Sequence, residues 1–273
     1  MATLSPVGES ADVPTTFGTV RAYRFDGRTG APPVVLLPGR NASTPMWRVN
    51  IPALLEHRSV IAIDLLGEAG MSVQDKPITG ADDEAQWLDD ALAGLGLDRA
   101  HLMGVSIGGW TAVNYAVRRP GRAASLTLLD AVFTFAPVPA KALLVSAGLF
   151  LPVPVPEALR RRVFSWISGG ADVDDSLPEA ALISAGSTDY VLRKAMPKMF
   201  TDDQLRSLDL PVLALIAGRS VMLDAARAAV RARNLLPHGQ VELWANASHA
   251  INGEYPVEIA ERGGRFWDDV DGA

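Results

Sequence analysis

The sequence predicts an open, mostly parallel α/β sheet interrupted by a helical insertion. Three observations predict it. Short apolar runs recur at Val34–Leu37, Ser59–Asp64, Ala100–Val105, Ser125–Asp130, Val212–Ala217 and Val241–Ala245. Blocks with helical periodicity lie between them. The alternation breaks between about Phe133 and Phe200, where prolines punctuate helical pieces. Strands alternating with helices build a parallel sheet covered on both faces, because each crossover lays a helix on the sheet.

Each element has its own justification. In residues 1–30, Thr19–Arg24 reads as an antiparallel edge strand. The six apolar runs are short and bounded by turn residues, as buried strands are. Glu84–Leu95 puts Leu88, Ala91, Leu92 and Leu95 on one helix face. Ile107–Arg118 reads as a helix stopped by Pro120 and Gly121. Beyond Phe133, Ala140–Leu149 and Pro156–Ser168 read as helices, and no run has the length and apolarity of a sheet strand. Such a long interruption exceeds an ordinary connection and reads as a cap. The expected division is a core of residues 1–132 and 201–273 with a cap of residues 133–200. Asp224–Leu236 and Pro256–Val270 supply the last helices.

Composition narrows the function classes. A chain of 273 residues can bury a sizeable core. Its 48% hydrophobic and 21% charged residues exclude a disordered chain. The absence of cysteine excludes a disulfide scaffold, a thiolate metal site and a cysteine nucleophile. A net charge of −6 argues against a nucleic-acid partner. The basic run Arg160–Arg162 reads as a solvated helix face. The apolar stretch Ala142–Leu151 is too short to span a bilayer. No basic-then-apolar leader is visible at the N-terminus. A cytoplasmic monomer or homodimer without stable membrane association is the expectation.

Gly104-Val105-Ser106-Ile107-Gly108 matches G-x-S-x-G between a strand and a helix. A sharp strand-to-helix turn forces strained angles on the serine and lifts its Oγ from the sheet. Small residues two before and two after avoid clashes there. A serine hydroxyl needs a base. There are four histidines. His57 precedes a strand, His101 starts one and His238 lies in a helix-to-strand turn, so all three belong to the opposite sheet edge. His249 follows the last strand and shares the carboxyl edge with Ser106, because parallel strands share direction.

The order Ser106…His249, the elbow and the sheet together resemble the α/β-hydrolase superfamily over nearly the whole chain. That resemblance implies eight mostly parallel strands flanked by helices, with an inserted cap. Val34–Gly39 looks like the strand entering the family's oxyanion loop. Asp64–Ser72 looks like its D-x-x-G-x-G-x-S segment with one residue inserted. Trp47-Arg48, Phe200-Thr201-Asp202 and the helix after Gly218 are similar to bacterial carboxylesterase-like members. The oxyanion and acid regions are also similar to haloalkane dehalogenases. Those need an aspartate nucleophile, so serine at 106 disfavours halide displacement.

Two departures from the family pattern matter. The usual His-Gly of the oxyanion loop is Pro38-Gly39 here. The donors implied are the amides of Arg40 and Ile107. The Arg40 guanidinium would favour an anionic substrate group or simply lie on the surface. The carboxylate expected two or three residues after Gly218 is missing, because Ser220 and Val221 stand there. Asp130, ending its strand at the carboxyl edge, is the preferred acid. Asp224 is the alternative, although it stands where an aspartate caps a helix. Asp64 is assigned to organising its loop.

No cofactor is expected. No His/Asp/Glu cluster has metal-ligand spacing, and neither Leu65-Leu66-Gly67 nor Gly108-Gly109 makes a dinucleotide fingerprint. The expected activity is serine hydrolysis of a carboxylic ester or lactone through an acyl-enzyme. The rival is a non-hydrolytic protein of the same fold: a cyclase, lyase, acyl transferase or ligand-binding receptor. The cap is rich in Val, Leu, Phe and Ala and carries Trp166, Met196 and Met199. It predicts a mainly apolar pocket over Ser106 for a small to medium substrate.

Overall fold

The computed structural model describes residues 7–147, 156–170, 178–192 and 194–272. The strands are β1 (Glu9–Thr15), β2 (Gly18–Phe25), β3 (Val34–Leu37), β4 (Val60–Ile63), β5 (Val73–Gln74), β6 (Ala100–Val105), β7 (Ala123–Leu129), β8 (Val212–Ala217) and β9 (Gly239–Trp244). They form one sheet in the order β1-β2-β4-β3-β6-β7-β8-β9, with β5 added to β2. Every pair from β4 through β9 along this path is parallel. The pairs made by β2 are antiparallel.

Two details differ from expectation. Thr19–Arg24 is not at the edge, because β2 bonds β1 on one side and β4 on the other. The edge on that side is β1, in which only Val13 is buried. A mostly exposed strand carries no apolar run to announce it; its partner's backbone holds it extended. The sheet also has a ninth strand, the two-residue β5, paired with Gly18 and Thr19.

The helices are α1 (Ile51–Leu55), α2 (Ala81–Gly94), α3 (Ile107–Arg118), α4 (Ala140–Ala147), α5 (Glu157–Ile167), α6 (Pro178–Asp189), α7 (Asp202–Arg206), α8 (Ala225–Leu235), α9 (Ile251–Glu254) and α10 (Pro256–Asp271). Side-chain alternation along β3 explains how they are shared. Val35 and Leu37 enter a layer with Trp87 of α2, Trp110 of α3 and Ala228 of α8. Val34 and Leu36 enter the opposite layer with Ile51 of α1, Ile251 of α9 and Trp267 of α10. With both faces buried, the central strands read as unbroken apolar runs rather than alternating ones.

Among the described residues, four helices, α4 to α7, lie between β7 and β8. The helix expected over Ala140–Leu149 is described to Ala147; residues 148–149, Pro152 and Pro154 lie outside the described residues. This segment touches loops that follow β3, β4 and β9. Gly186 packs against Ala69 and the Asn41 carbonyl, and Gly169 against Ser248. Its return is anchored where the Trp110 indole N–H donates to the Lys198 carbonyl (2.9 Å) and stacks on Phe200. Thr201 and Gln204 then form a reciprocal capping box that starts α7.

The far edge of the sheet is locked by charge. Buried Arg58 meets Asp268 (2.7 Å) and Asp271 (3.0 Å). His101, also buried, contacts Ser125 Oγ through Nδ1 (2.8 Å) and Asp271 through Nε2 (3.2 Å). Burial pulls the His101 imidazole below its ordinary 6.5, and Asp271 only partly offsets it. The unfolded chain therefore binds a proton here more readily than the folded one. Stability from the neutral ring is intact above about pH 6.5 and is lost as pH falls through the lowered folded value. The melting temperature is expected to drop as pH falls below about 6.5. His101→Gln should flatten part of that slope in thermal scans across pH; an unchanged slope would contradict the assignment.

Candidate active site

Ser106 sits between β6 and α3 with φ 55° and ψ −118°. This is a conformation that L-residues adopt only when the surroundings impose it. The surroundings here are backbone. A Cβ on Gly104 would strike the Gly108 carbonyl, and one on Gly108 would strike the Leu37 carbonyl. The two glycines are thus required by close approach of elbow, helix and β3. Ser106 N–H donates to the Leu129 carbonyl (2.9 Å), tying the turn to β7.

His249 follows β9 and its ring bridges two groups. Nε2 lies 3.0 Å from Ser106 Oγ, and Nδ1 lies 2.6 Å from Asp130 Oδ2. A carboxylate only accepts, so Nδ1 carries the proton and Nε2 is free to accept from the serine hydroxyl. The histidine loop is pinned by Glu254, which accepts from Ser248 N–H (2.8 Å) and Ser248 Oγ (2.7 Å). The Ala247 carbonyl also accepts from Arg219 N–H (2.9 Å).

Asp130 is fully buried just beyond β7, at φ 45°. Its Oδ1 accepts from Ala217 N–H (3.0 Å), and its Oδ2 accepts from Ser220 Oγ (2.6 Å) as well as from His249. Asp224 is exposed and caps α8, accepting from Arg227 N–H (3.0 Å). Ser106, Asp130 and His249 are thus brought together, and Asp224 is occupied elsewhere. The other three histidines are also elsewhere. His101 is locked at the far edge, His238 is exposed beside Asp209 (3.1 Å), and His57 lies against Gly264 of α10.

The loop after β3 approaches the serine. A Cβ on Gly39 would lie 3.7 Å from Ser106 Cβ. Gly39 N–H donates to Met46 Sδ (3.3 Å), and Asn41 turns the loop at φ 55°. Asn41 N–H donates to buried Glu68 (3.3 Å), and Asn41 Nδ2 donates to Ser187 of α6 (3.2 Å). The Arg40 guanidinium lies 3.6 Å from Glu68, which offsets its charge. Ile107 opens α3, so its amide belongs to the first turn, where a helix offers no internal acceptor. Asp64 accepts from Thr44 N–H and Oγ1 (both 2.8 Å) and from Met71 N–H (2.9 Å), bracing the neighbouring loops.

Sequence reasoning missed a buried charge cluster behind this loop. Lys194, on the return from α6, lies 3.2 Å from Glu68 and 3.3 Å from Glu84. Burial disfavours its ammonium, but the two carboxylates outweigh that and hold its pKa above the ordinary value. Glu254 was missed as well. The cluster leaves no local pattern because its members come from different elements, and a single glutamate six residues after Ser248 makes no recognisable motif. An open cavity of about 740 Å³ lies between α5 and the loop after β8, lined by Arg161, Arg162, Trp166, Gly169, Arg219 and Val221 among others. Ser106 is not in its wall, and three arginines line it. Among the described residues no cluster of three or more potential metal ligands occurs, and no helix is long and apolar enough to cross a membrane.

Residues 32–152 match the family model of the α/β-hydrolase fold. The carboxylesterase nap of Bacillus subtilis (strain 168) is 29% identical, with 93% of this chain and 85% of the relative covered. A protein of Pseudomonas savastanoi pv. phaseolicola named as the carbamate hydrolase RutD is 30% identical, with 83% of this chain and 90% of the relative covered. The chain belongs to the α/β-hydrolase family. Among solved structures, the naproxen esterase (carboxylesterase NP) of Bacillus subtilis superposes on this family member with a TM-score of 0.85 at 28% identity, covering 96% of this chain and 92% of the other.

Proposed function

We propose that this α/β-hydrolase is a serine esterase that cleaves a small to medium, mainly apolar carboxylic ester or lactone through an acyl-enzyme. The observation that carries the reading is the continuous contact Ser106 Oγ, His249, Asp130 at 3.0 and 2.6 Å. Likeness to carboxylesterases over most of the chain supports it. Ser106 attacks the carbonyl while His249 Nε2 takes its proton. The same imidazole returns that proton to the leaving alcohol, then activates water for deacylation. Asp130 holds the tautomer and stabilises the imidazolium. The amides of Arg40 and Ile107 are assigned to the oxyanion, where each donor contributes about 3–4 kcal/mol to the transition state.

Residues 133–200 act in this proposal as a cap over the site. Contacts of Gly186 and Ser187 with Asn41 support that role, since Asn41 belongs to the loop beside Ser106. The expected result is labelling of the chain by a fluorophosphonate probe, with aryl-ester turnover rising from acetyl to mid-length acyl groups and falling for long chains. Labelling without turnover of any acyl ester would replace hydrolysis by acyl transfer or cyclisation. A preference for emulsified triacylglycerol at equal acyl concentration would make the cap an interfacial lid instead.

A further inference from the structure

We propose that Ser220 is a positioning residue for this site: its hydroxyl holds the Asp130 carboxylate in register with His249 and sets how strongly that carboxylate accepts the imidazole proton. The inference rests on the reading of Ser106, His249 and Asp130 as one catalytic unit. Ser220 occupies the loop after β8, at the position where the family resemblance implies the acid itself. Its Oγ lies 2.6 Å from Asp130 Oδ2, the same oxygen that lies 2.6 Å from His249 Nδ1.

The direction of the Ser220 bond follows from its partners. Met222 N–H donates to Ser220 Oγ (3.2 Å), and a carboxylate has no proton to give, so the hydroxyl proton points at Asp130. An O–H···O⁻ contact of this length belongs to the strong, charge-assisted class. Ser220 is itself held, its N–H donating to the Ala217 carbonyl (3.2 Å). Ala217 N–H meanwhile donates to the other carboxylate oxygen. The exit of β8 therefore clasps Asp130 at both oxygens, and His249 approaches an acceptor that cannot rotate. Without the hydroxyl, the β8 exit holds the carboxylate only at Oδ1, through the Ala217 amide, and Oδ2 keeps only the imidazole that it is meant to orient.

The test compares Ser220→Ala and Ser220→Thr in the full chain by two readouts. The first is kcat and KM on a soluble aryl ester. Ser220→Ala is expected to lower kcat about tenfold with KM nearly unchanged, and Ser220→Thr to restore most of the loss. The second is the low-field proton resonance of His249 Nδ1–H, which reports the acceptor directly. It is expected to move in Ser220→Ala and return in Ser220→Thr. An unmoved resonance overturns the proposal whatever the rate does. So does a Ser220→Ala kcat within about twofold of wild type, or a Ser220→Thr as impaired as Ser220→Ala. If the wild-type chain turns over no ester, the esterase reading fails, and the resonance comparison still decides the role of Ser220.

Discussion

Replacing Ser106 with alanine is expected to cut kcat on a soluble aryl ester by about 10⁴ or more while the fold survives. The substitution removes one atom, the Oγ that contacts His249 Nε2 at 3.0 Å. It leaves untouched what builds the turn: the Ser106 amide bonded to Leu129, and the glycines at 104 and 108. Alanine meets the same backbone demand at φ 55° as serine does, so thermal unfolding should stay close to wild type. The fluorophosphonate adduct should vanish together with turnover. A variant that keeps a tenth of the wild-type rate would move the nucleophile away from the elbow.

Asp130→Asn is expected to lower kcat by about 10⁴, the cost seen when a triad acid loses its charge. The local bonds explain why the amide is so poor a substitute. Ala217 N–H needs an acceptor at Oδ1, so the asparagine oxygen takes that place and its NH₂ faces His249. An NH₂ group donates, which drives the imidazole to the tautomer with the proton on Nε2. That nitrogen then cannot accept from Ser106. Asp224→Asn should be nearly silent, because asparagine caps a helix about as well as aspartate. Its kcat should stay within about twofold and its stability within about 0.5 kcal/mol. Steady-state kinetics and urea unfolding of the two variants check this ranking, and its reversal would return the acid to the loop after Gly218.

Much of this was legible in the sequence, for an identifiable reason. Strands buried on both faces leave unbroken apolar runs, and the central strands were visible within a residue or two for that reason. Strand direction then sorted the ends: Ser106, Asp130 and His249 follow strands, whereas His57, His101 and His238 precede or begin them. The edge strand β1 was invisible, since one buried residue, Val13, makes no pattern. The arginine-lined cavity was also invisible, because Arg161 and Arg162 of α5 come to line one space with Arg219 only in the folded chain.

By itself, the sequence determined the sheet, the elbow and the edge on which chemistry can occur. These depend on periodicity and on small residues at fixed spacing, which act within a few positions along the chain. Only the tertiary structure shows which of the two aspartates lies against the histidine. The contact of Asp130 with His249 spans 119 residues, and that with Ser220 spans 90. The same holds for Glu68, whose carboxylate meets Asn41 and Lys194. A carboxylate at a strand end and one at a helix start look equally acidic in sequence. They part company only when folding buries one against a histidine, a hydroxyl and an amide, and leaves the other to cap its helix in water.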